Sequence, residues 1–413
     1  MDLSFGPEYE TLRSEVRDFL ARHADEAPRG EGLRAPKTLA WQKLLIEHGY
    51  AARTIPAAYG GFGAEPDILA SRIIAEEFAS AGVSQGLGGQ GISMLVPSLL
   101  EVGTEVQRQQ FIRPTIHGEM VWCQGYSEPG AGSDLAALRT SAVLDRSADR
   151  GDEWVVNGQK IWTSTAQLAD WIFCLVRTEP DAPKHQGISF LLFRMDTPGI
   201  EVRPLVDMTG HANFNEVFFT DVRVPKDQIV GNRGDGWKVA NTILGHERDS
   251  LGNPNATLQR LNALMEIMKE ETVGGTRLMD HPTYRDRLMR LQGRVMAMRF
   301  NDMRVLSAKV NGADASLARM IVKLQGTELR HELEGLAIDV MGELGLAYDD
   351  NPYLRDGGSW QSQYMYFLGL IIGGGTSQIQ KNIISERGLG MPKEPKIPAS
   401  GAGSRTASAG QGG

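Results

Sequence analysis

A single acidic residue interrupts an apolar helical seam in the C-terminal half of the chain. Trp237, Ala240, Leu244, Glu247 and Leu251 follow one another at steps of three and four residues, the spacing of one face of an α-helix. Glu247 is the only charged member of this seam. A carboxylate among apolar side chains has a raised pKa, which suits a base that accepts a proton near neutral pH. The alternative is a surface glutamate in an i,i+4 ion pair.

A second candidate site is the glycine-rich segment "GYSEPGAGSDLAALRTSA". Gly125, Gly130 and Gly132 flank the hydroxyl groups of Ser127 and Ser133. Glycines allow a backbone to approach a ligand closely, and exposed N–H and O–H groups suit the oxygens and ring edge of a cofactor. The same composition also describes an ordinary turn, so both interpretations stay open at this point.

A third candidate is the aromatic residue in "VVNGQKIWTSTAQLADW". Trp162 could stack on a planar ring, and Ser164 follows two residues later. The alternative is a core residue, because a tryptophan in a strand-rich domain is usually buried.

The elements that carry these residues are predicted to be helices, then strands, then helices. "YETLRSEVRDFLARHA" places Leu12, Val16, Phe19 and Leu20 on one helical face, and "TLAWQKLLIEHGY", "DILASRIIAEEFAS" and "SMLVPSLLEVG" also have helical patterns. After Gly118, five short β-branched and aromatic segments predict strands: "MVWCQGYSE", "EWVVNGQKIWT", "DWIFCLVRT", "ISFLLFRM" and "NEVFFTDVRVP". The helical period then returns and continues to about residue 387. This order predicts an α+β fold with separate domains.

Bulk properties exclude several classes of protein. A length of 413 residues predicts two or three domains, and 41% hydrophobic with 23% charged residues is typical of a soluble globular protein. A formal net charge of −8 argues against a general nucleic-acid binder. Cys123 and Cys174 have no metal-ligand spacing, so we expect core packing and no metal site. The absence of a signal peptide and of a membrane span in the sequence pattern predicts a cytoplasmic protein.

Four motifs in the same order resemble those of the acyl-CoA dehydrogenase family. They are "IPAAYGGFG", "SEPGAGSD", "KIWTS" and "GGGTSQIQ". The resemblance covers roughly residues 1 to 390. It implies an acyl-CoA dehydrogenase-like α+β fold with an N-terminal α-helical domain (1–118), a central β domain (119–232) and a C-terminal four-helix bundle (233–392). A Gly/Ser/Ala-rich disordered tail (393–413) is expected to follow.

The resemblance also implies a reaction and a cofactor. Members of the family remove the α proton of an acyl-CoA thioester with a carboxylate, while the β hydrogen leaves as hydride to FAD and a 2,3-enoyl-CoA forms. It further implies electron-transfer flavoprotein as the acceptor. The residues that the motifs place at the cofactor are Gln124, Tyr126, Ser127, Gly132, Ser133, Trp162, Ser164, Thr376 and Gln378. Ser133 is also expected to contact the substrate.

The resemblance locates the base away from the C-terminal motif. Many members carry a catalytic glutamate directly before "GTSQIQ", where this chain has Gly374. Other members carry it on the first helix of the C-terminal bundle, and here "LGHERDS" has Glu247 and Arg248 at those positions. Arg248 is expected to contact the CoA portion, unless it is a structural or solvated arginine. Gly374 either opens space for a bulky acyl group or reflects drift after the base had moved.

The chain departs from the family where a neighbouring subunit usually binds FAD. The family's "R-x-x-F-G", a nearby Gln and "Q-x-x-G-G" correspond here to Glu271, Gly274, Pro282, Asp339 and Glu343. Carboxylates near a pyrophosphate repel it. Some bacterial members of the family pair two unlike subunits, one of which supplies the missing FAD-binding residues. The resemblance to them implies a related second subunit in an α2β2 assembly, with a homo-oligomer as the alternative. Two functional alternatives also remain: a flavin oxidase or monooxygenase on the same fold, and a non-catalytic structural subunit.

Overall fold

The computed structural model describes residues 6–147, 151–251, 254–348 and 351–393. Within these ranges, the side chains of residues 147 and 247–251 are not described. The tail expected from residue 393 onward lies, apart from residue 393 itself, outside the described residues. None of the helices in the described ranges is both long enough and apolar enough to cross a membrane.

The N-terminal part is helical, as predicted. Its helices are α1 (Pro7–His23), α2 (Pro36–Glu47), α3 (Ile68–Ser80), α4 (Val96–Val102) and α5 (Glu105–Ile116). The predicted face of α1 is confirmed, since Val16, Phe19 and Leu20 are buried in a core shared with α2 and α3. Thr104 and Gln107 form a reciprocal capping box that fixes the start of α5.

The central part is one seven-stranded sheet. Its strands are β1 (Trp122–Gly125), β2 (Ser141–Ser147), β3 (Gly151–Lys160), β4 (Trp171–Arg177), β5 (Ile188–Arg194), β6 (Ile200–Leu205) and β7 (Phe214–Pro225). The order along the sheet is β1-β4-β2-β3-β7-β6, and β5 pairs with β4. β1 and β4 are parallel, whereas β2–β3, β3–β7, β4–β5 and β6–β7 are antiparallel.

Two strands of this sheet were not predicted from the sequence. The five predicted segments contain β1, β3, β4, β5 and β7. β2 and β6 are missing from that set because neither is an apolar run. β6 alternates between partly buried and exposed positions, since it pairs only with β7 at the edge of the sheet.

The C-terminal part is helical, with one short exception. Its helices are α6 (Gly236–Leu251), α7 (Pro254–Glu270), α8 (Pro282–Val310), α9 (Ser316–Val340), α10 (Ser359–Ile372) and α11 (Ser377–Ile383). Helices α7 to α10 share one core, which includes Leu264, Val295, Leu333 and Trp360. The fold class and the helix–sheet–helix order inferred from the sequence are thus confirmed.

A two-stranded hairpin interrupts the region that the sequence predicted to be helical throughout. Its strands are β8 (Thr272–Val273) and β9 (Thr276–Arg277). Gly274 and Gly275 form the turn with φ of 57° and 79°. Such a tight hairpin needs two residues with positive φ, which explains the paired glycines.

The core that positions the candidate site lies where the three parts meet. Leu99 of α4, Phe111 of α5, Phe173 of β4, Phe190 of β5 and Ala240 of α6 belong to it, and each is at most 1% exposed. Burial of a large apolar side chain contributes about 1.5–3 kcal/mol. This core therefore fixes α6 against the sheet and the N-terminal helices.

Candidate active site

The glycine-rich loop after β1 is closed by two backbone hydrogen bonds. The N–H of Glu128 donates to the carbonyl of Ala131, and the N–H of Ala131 donates to that of Glu128, both at 3.0 Å. Gly130 and Gly132 face open space, because a Cβ added at either would meet no heavy atom within 4 Å. Ser133 is exposed beside them. A side chain at position 130 or 132 would not clash with the protein, and neither residue has a positive φ. Close approach of a ligand to the backbone would explain why both residues are glycine.

A buried ion pair ties this loop to the end of β3. Lys160 is fully buried, and its Nζ lies 2.9 Å from Glu128 Oε1 and donates to the carbonyl of Tyr126 at 3.1 Å. Glu128 also accepts the backbone N–H groups of Arg139 and Thr140 at 2.6 and 2.8 Å. Burial by itself raises the pKa of Glu128, but the Lys160 charge and these hydrogen bonds outweigh it and hold the pKa below its ordinary value.

This ion pair was missed by sequence reasoning, although a signal for half of it existed. Trp154, Val156 and Lys160 are buried at even-numbered positions of β3, although Gly158 between the last two is exposed. A lysine on the buried face of a strand requires a carboxylate partner. The alternation could not identify Glu128 as that partner, since the two residues lie in different segments.

Trp162 projects from a strained turn directly after β3. Its side chain is 58% exposed, which excludes the core interpretation. Its φ is 61°, and that of Thr165 is 60°. A bulky residue in this region costs about 1–3 kcal/mol, and such strain is concentrated at functional sites. Phe214 contacts the indole edge-on, with ring centroids 5.8 Å apart.

Ser127 and Trp162 are brought side by side by the backbone. The N–H of Ile161 donates to the carbonyl of Ser127 at 2.9 Å. Ser127 and Ser164 are both partly buried. The structure therefore joins the two motifs that the sequence analysis treated separately.

Gln124 and Tyr126 have different surroundings. Gln124, in β1, is partly buried and its Oε1 accepts from Gln90 Nε2 at 3.3 Å. Tyr126 is 5% exposed, and its ring packs edge-on against Phe173 at 6.0 Å. The ring of Tyr126 thus belongs to the core, and its backbone carbonyl accepts a hydrogen bond from Lys160 Nζ.

The C-terminal motif forms the start of α11. Thr376 caps the helix, with its Oγ1 accepting the N–H of Ile379 at 3.2 Å, and Gln378 is exposed. Both belong to the C-terminal bundle, whereas the other predicted cofactor residues belong to the β domain. Lys323 of α9 fixes the preceding turn by donating to the carbonyl of Gly375 at 2.7 Å.

Gly374 has a backbone conformation that disfavours a side chain. Its φ is 64°, in the left-handed region. An L-residue there costs roughly 1–2 kcal/mol more than glycine. A glutamate at this position would carry that strain.

Helix α6 buries the first half of the predicted seam. Ala240 is fully buried, and Trp237 and Leu244 pack against the same central core. Glu247 and Arg248 lie within the bounds of α6, and their side chains are outside the described part of the structure. The apolar character of the seam leading to Glu247 is confirmed up to Leu244.

An open cleft of about 610 Å³ adjoins the start of α6. Its lining residues are His185, Gln186, Gly234, Asp235, Trp237, Lys238, Asn241 and Thr242. The rings of His185 and Trp237 meet edge-to-face, with centroids 4.8 Å apart. Lys184, the residue before His185, forms an exposed ion pair with Asp134 at 2.8 Å, so the cleft lies near the glycine-rich loop that carries Ser133.

Two of the three carboxylates that the sequence placed in a FAD-binding region of the bundle are paired with arginines. Glu271 pairs with Arg355, and Asp339 pairs with Arg287 at 2.6 Å. Glu343 is exposed in a 3-10 turn. Because Arg355 and Arg287 neutralise two of the three carboxylates, this surface is less negative than the sequence predicted.

Gly274 and Pro282 have structural roles at the same end of the bundle. Gly274 forms the hairpin turn between β8 and β9. Pro282 occupies the first turn of α8, where a proline costs no helical hydrogen bond.

Three family models match nearly all of the described chain. They are the acyl-CoA dehydrogenase N-terminal domain at residues 6–119, the middle domain at residues 123–222 and the C-terminal domain at residues 234–389. The acyl-CoA dehydrogenase IpdE1 of Mycobacterium tuberculosis is 37% identical, over 94% of this chain and 99% of that protein. The chain belongs to the acyl-CoA dehydrogenase family. It is therefore an oxidoreductase that acts on acyl-CoA, in a family of flavoproteins whose usual cofactor is FAD.

Two solved structures are similar over almost the whole chain. The Tcur3481-Tcur3483 steroid ACAD has a TM-score of 0.78 and 28% identity, covering 95% of this chain and 100% of that chain. The ChsE4-ChsE5 complex from Mycobacterium tuberculosis has a TM-score of 0.76 and 31% identity, with the same coverage. Both are named as pairs of proteins.

Proposed function

We propose that the chain catalyses the FAD-dependent α,β-dehydrogenation of an acyl-CoA thioester to a 2,3-enoyl-CoA, with Glu247 as the base. The observation that carries this proposal is the exposed indole of Trp162. It is held at a φ of 61° beside a glycine-rich loop that faces open space. An exposed, strained tryptophan is costly unless a ligand covers it.

The residues present fit a flavin cofactor. Trp162 offers a planar surface for the ring system, while Gly132, Ser133 and Ser127 offer backbone N–H and hydroxyl groups beside it. The buried Lys160–Glu128 ion pair fixes the glycine-rich loop against the end of β3, next to the turn that carries Trp162. Cofactor binding therefore costs little conformational entropy in these two segments. Thr376 and Gln378 of the bundle complete the proposed set.

The reaction needs one group that takes a proton and one that takes a hydride. FAD, when bound, accepts the β hydrogen with its electron pair. Glu247 takes the α proton, and the electrons of that C–H bond form the new double bond. The apolar seam of Trp237, Ala240 and Leu244 favours this, because a carboxylate in weakly solvated surroundings is a stronger base.

The substrate we propose has a bulky acyl group, either steroid-like or branched. Gly374 has no side chain where many family members carry the base, which leaves room at that end of the site. The similarity to a structure named as a steroid ACAD supports the same class. We assign the CoA portion to Arg248, Ser133 and the cleft beside Trp237.

The active form we propose is an α2β2 assembly with a related second subunit. Glu271, Asp339 and Glu343 stand where other members bind a neighbour's FAD, and the first two carboxylates compete with a pyrophosphate for Arg355 and Arg287. Both similar structures described above are named as two-protein assemblies. A homo-oligomer is the alternative assembly, and electron-transfer flavoprotein is the proposed electron acceptor.

The test of the chemistry compares two glutamate-to-glutamine variants in the assembled complex. Glu247→Gln should slow anaerobic flavin reduction by an acyl-CoA roughly 10²- to 10⁴-fold, while binding of the acyl-CoA survives. Glu266→Gln is the matched control, because Glu266 is an exposed glutamate on α7 that pairs with Lys269. Normal reduction in Glu247→Gln would assign the base to another residue. Rapid reoxidation by air with peroxide release would favour an oxidase.

The test of the assembly compares the chain made alone with the chain co-expressed with a subunit carrying "R-x-x-F-G" and "Q-x-x-G-G". The FAD-to-protein ratio and the native mass should show a coloured α2β2 complex with two flavins, and little flavin on the chain alone. A stable homotetramer with one FAD per chain would overturn the two-subunit proposal. A colourless but active complex would overturn the flavin proposal.

A further inference from the structure

Asn215 fixes the turn that carries Trp162 through hydrogen bonds to the next residue, Thr163. The backbone carbonyl of Asn215 accepts the N–H of Thr163 at 3.0 Å, and its Nδ2 donates to the carbonyl of Thr163 at 2.9 Å. The same Nδ2 donates to Gln167 Oε1 at 2.6 Å. Asn215 and Thr163 are both fully buried. Both backbone polar groups of Thr163, the residue that follows Trp162, are thus bound by one asparagine.

The residue before Asn215 contacts Trp162 itself. Phe214 meets the indole edge-on, and Phe214 and Asn215 begin β7. On the other side of Trp162, Ile161 is bound to Ser127. Trp162 therefore sits between two backbone anchors, which is what maintains a φ of 61° in a bulky residue.

We infer that Asn215 is a positioning residue that orients the Trp162 indole toward the cofactor. This inference rests on the proposed function, since it assumes that Trp162 faces the flavin. The amide is the required group, because its nitrogen supplies two N–H donors and both are used. A carboxylate at 215 could not donate to the Thr163 carbonyl, and Gln167 would have to rotate its amide to present its nitrogen. The buried Oδ1 of Asn215 makes no hydrogen bond within the described residues, so the donors are what the amide contributes here.

The experiment uses the flavin-loaded complex and the Asn215→Asp variant. We expect FAD binding to weaken on the order of tenfold, as for loss of a buried hydrogen-bond pair, and the visible circular dichroism of the flavin to change. The chain offers a matched control in Asn157→Asp. Asn157 forms a similar pair with Asp221, another residue with positive φ, on the exposed side of the same strands. That variant should leave the flavin dichroism unchanged.

A double-mutant cycle separates positioning from a general loss of structure. If Asn215 acts through Trp162, Asn215→Asp should add less than about twofold to the effect of Trp162→Ala on FAD affinity. Full additivity of the two effects would overturn the inference. Unchanged flavin dichroism in Asn215→Asp, with a changed signal in Trp162→Ala, would also overturn it. No effect of Trp162→Ala would instead contradict the proposed flavin site.

A milder variant keeps the inference testable if Asn215→Asp does not fold. Gln167 is exposed, so Gln167→Met should fold while it removes one of the two acceptors that orient the Asn215 amide. We expect the dichroism to shift in the same direction as in Asn215→Asp, by a smaller amount. An unchanged spectrum in this variant, when Asn215→Asp cannot be made, counts against the inference.

Discussion

Lys160 Nζ and Glu128 Oε1 lie 2.9 Å apart, and both side chains are almost completely removed from solvent. Lys160 ends β3, and Glu128 lies in the loop that follows β1. Neither segment could hold its charge in the interior alone, because an unpaired buried charge is strongly unfavourable. The pair thus makes the loop after β1 and the end of β3, the two segments proposed to bind the cofactor, one structural unit.

Loss of one partner should destabilise the chain strongly. Glu128→Gln leaves the Lys160 ammonium buried without a counter-charge, and breaking such a pair costs about 3–5 kcal/mol. Urea unfolding of the assembled complex measures this loss. Asp134→Asn is the control, since its pair with Lys184 is exposed and should contribute much less. Equal small effects in both variants would contradict the structural role of the buried pair.

The same pair predicts an acid-dependent loss of stability. The pKa of Glu128 is held below its ordinary value in the folded protein. The ionised carboxylate therefore contributes fully to the free energy of unfolding at pH values above about 4.3, the pKa of a glutamate in the unfolded chain. That contribution is lost as the pH falls through the lower, folded pKa. Thermal midpoints measured between about pH 3 and pH 7 should therefore fall more steeply for the wild type than for Glu128→Gln. Parallel curves would contradict this assignment.

A glutamate at position 374 should not restore a base. Gly374→Glu forces an L-residue to a φ of 64°, with an expected cost of roughly 1–2 kcal/mol. Gly373→Glu is the matched control, because Gly373 has a φ of −64° and is exposed. We expect Gly374→Glu to unfold at lower urea than Gly373→Glu and to leave Glu247→Gln inactive. Recovery of activity in the double variant would show that position 374 is still aligned with the substrate.

Both cysteines should be unreactive in the folded chain. Cys123 and Cys174 are fully buried, and burial raises the pKa of Cys174 to about 12 and that of Cys123 well above its ordinary value. The thiolate fraction of Cys174 at pH 8 is then roughly 10⁻⁴. A thiol reagent at that pH should label neither residue until denaturant is added, when two thiols per chain should react. Labelling under native conditions would reveal local opening of the sheet.

The sequence alone determined the order of the elements and several of their buried faces. β4 and β5 are continuous apolar runs because nearly all of their residues are buried, on both faces of the sheet, and such runs are readily recognised. The face of α1 with Val16 and Phe19 followed from helical spacing. β2 and β6 escaped prediction because neither is a continuous apolar run, and the alternation of Ile200 and Val202 with polar residues in β6 is short.

Only the tertiary structure decided which distant residues meet. Strand periodicity places Lys160 on a buried face, but its partner Glu128 lies 32 residues earlier in the chain, before β2. The exposure of Trp162 and its support by Asn215 depend on how β7 returns beside β3. Likewise Arg287 and Arg355 neutralise Asp339 and Glu271 across separate helices and turns. Local patterns report the environment of a side chain, whereas its partner is set by chain topology, which brings residues far apart in sequence within hydrogen-bonding distance.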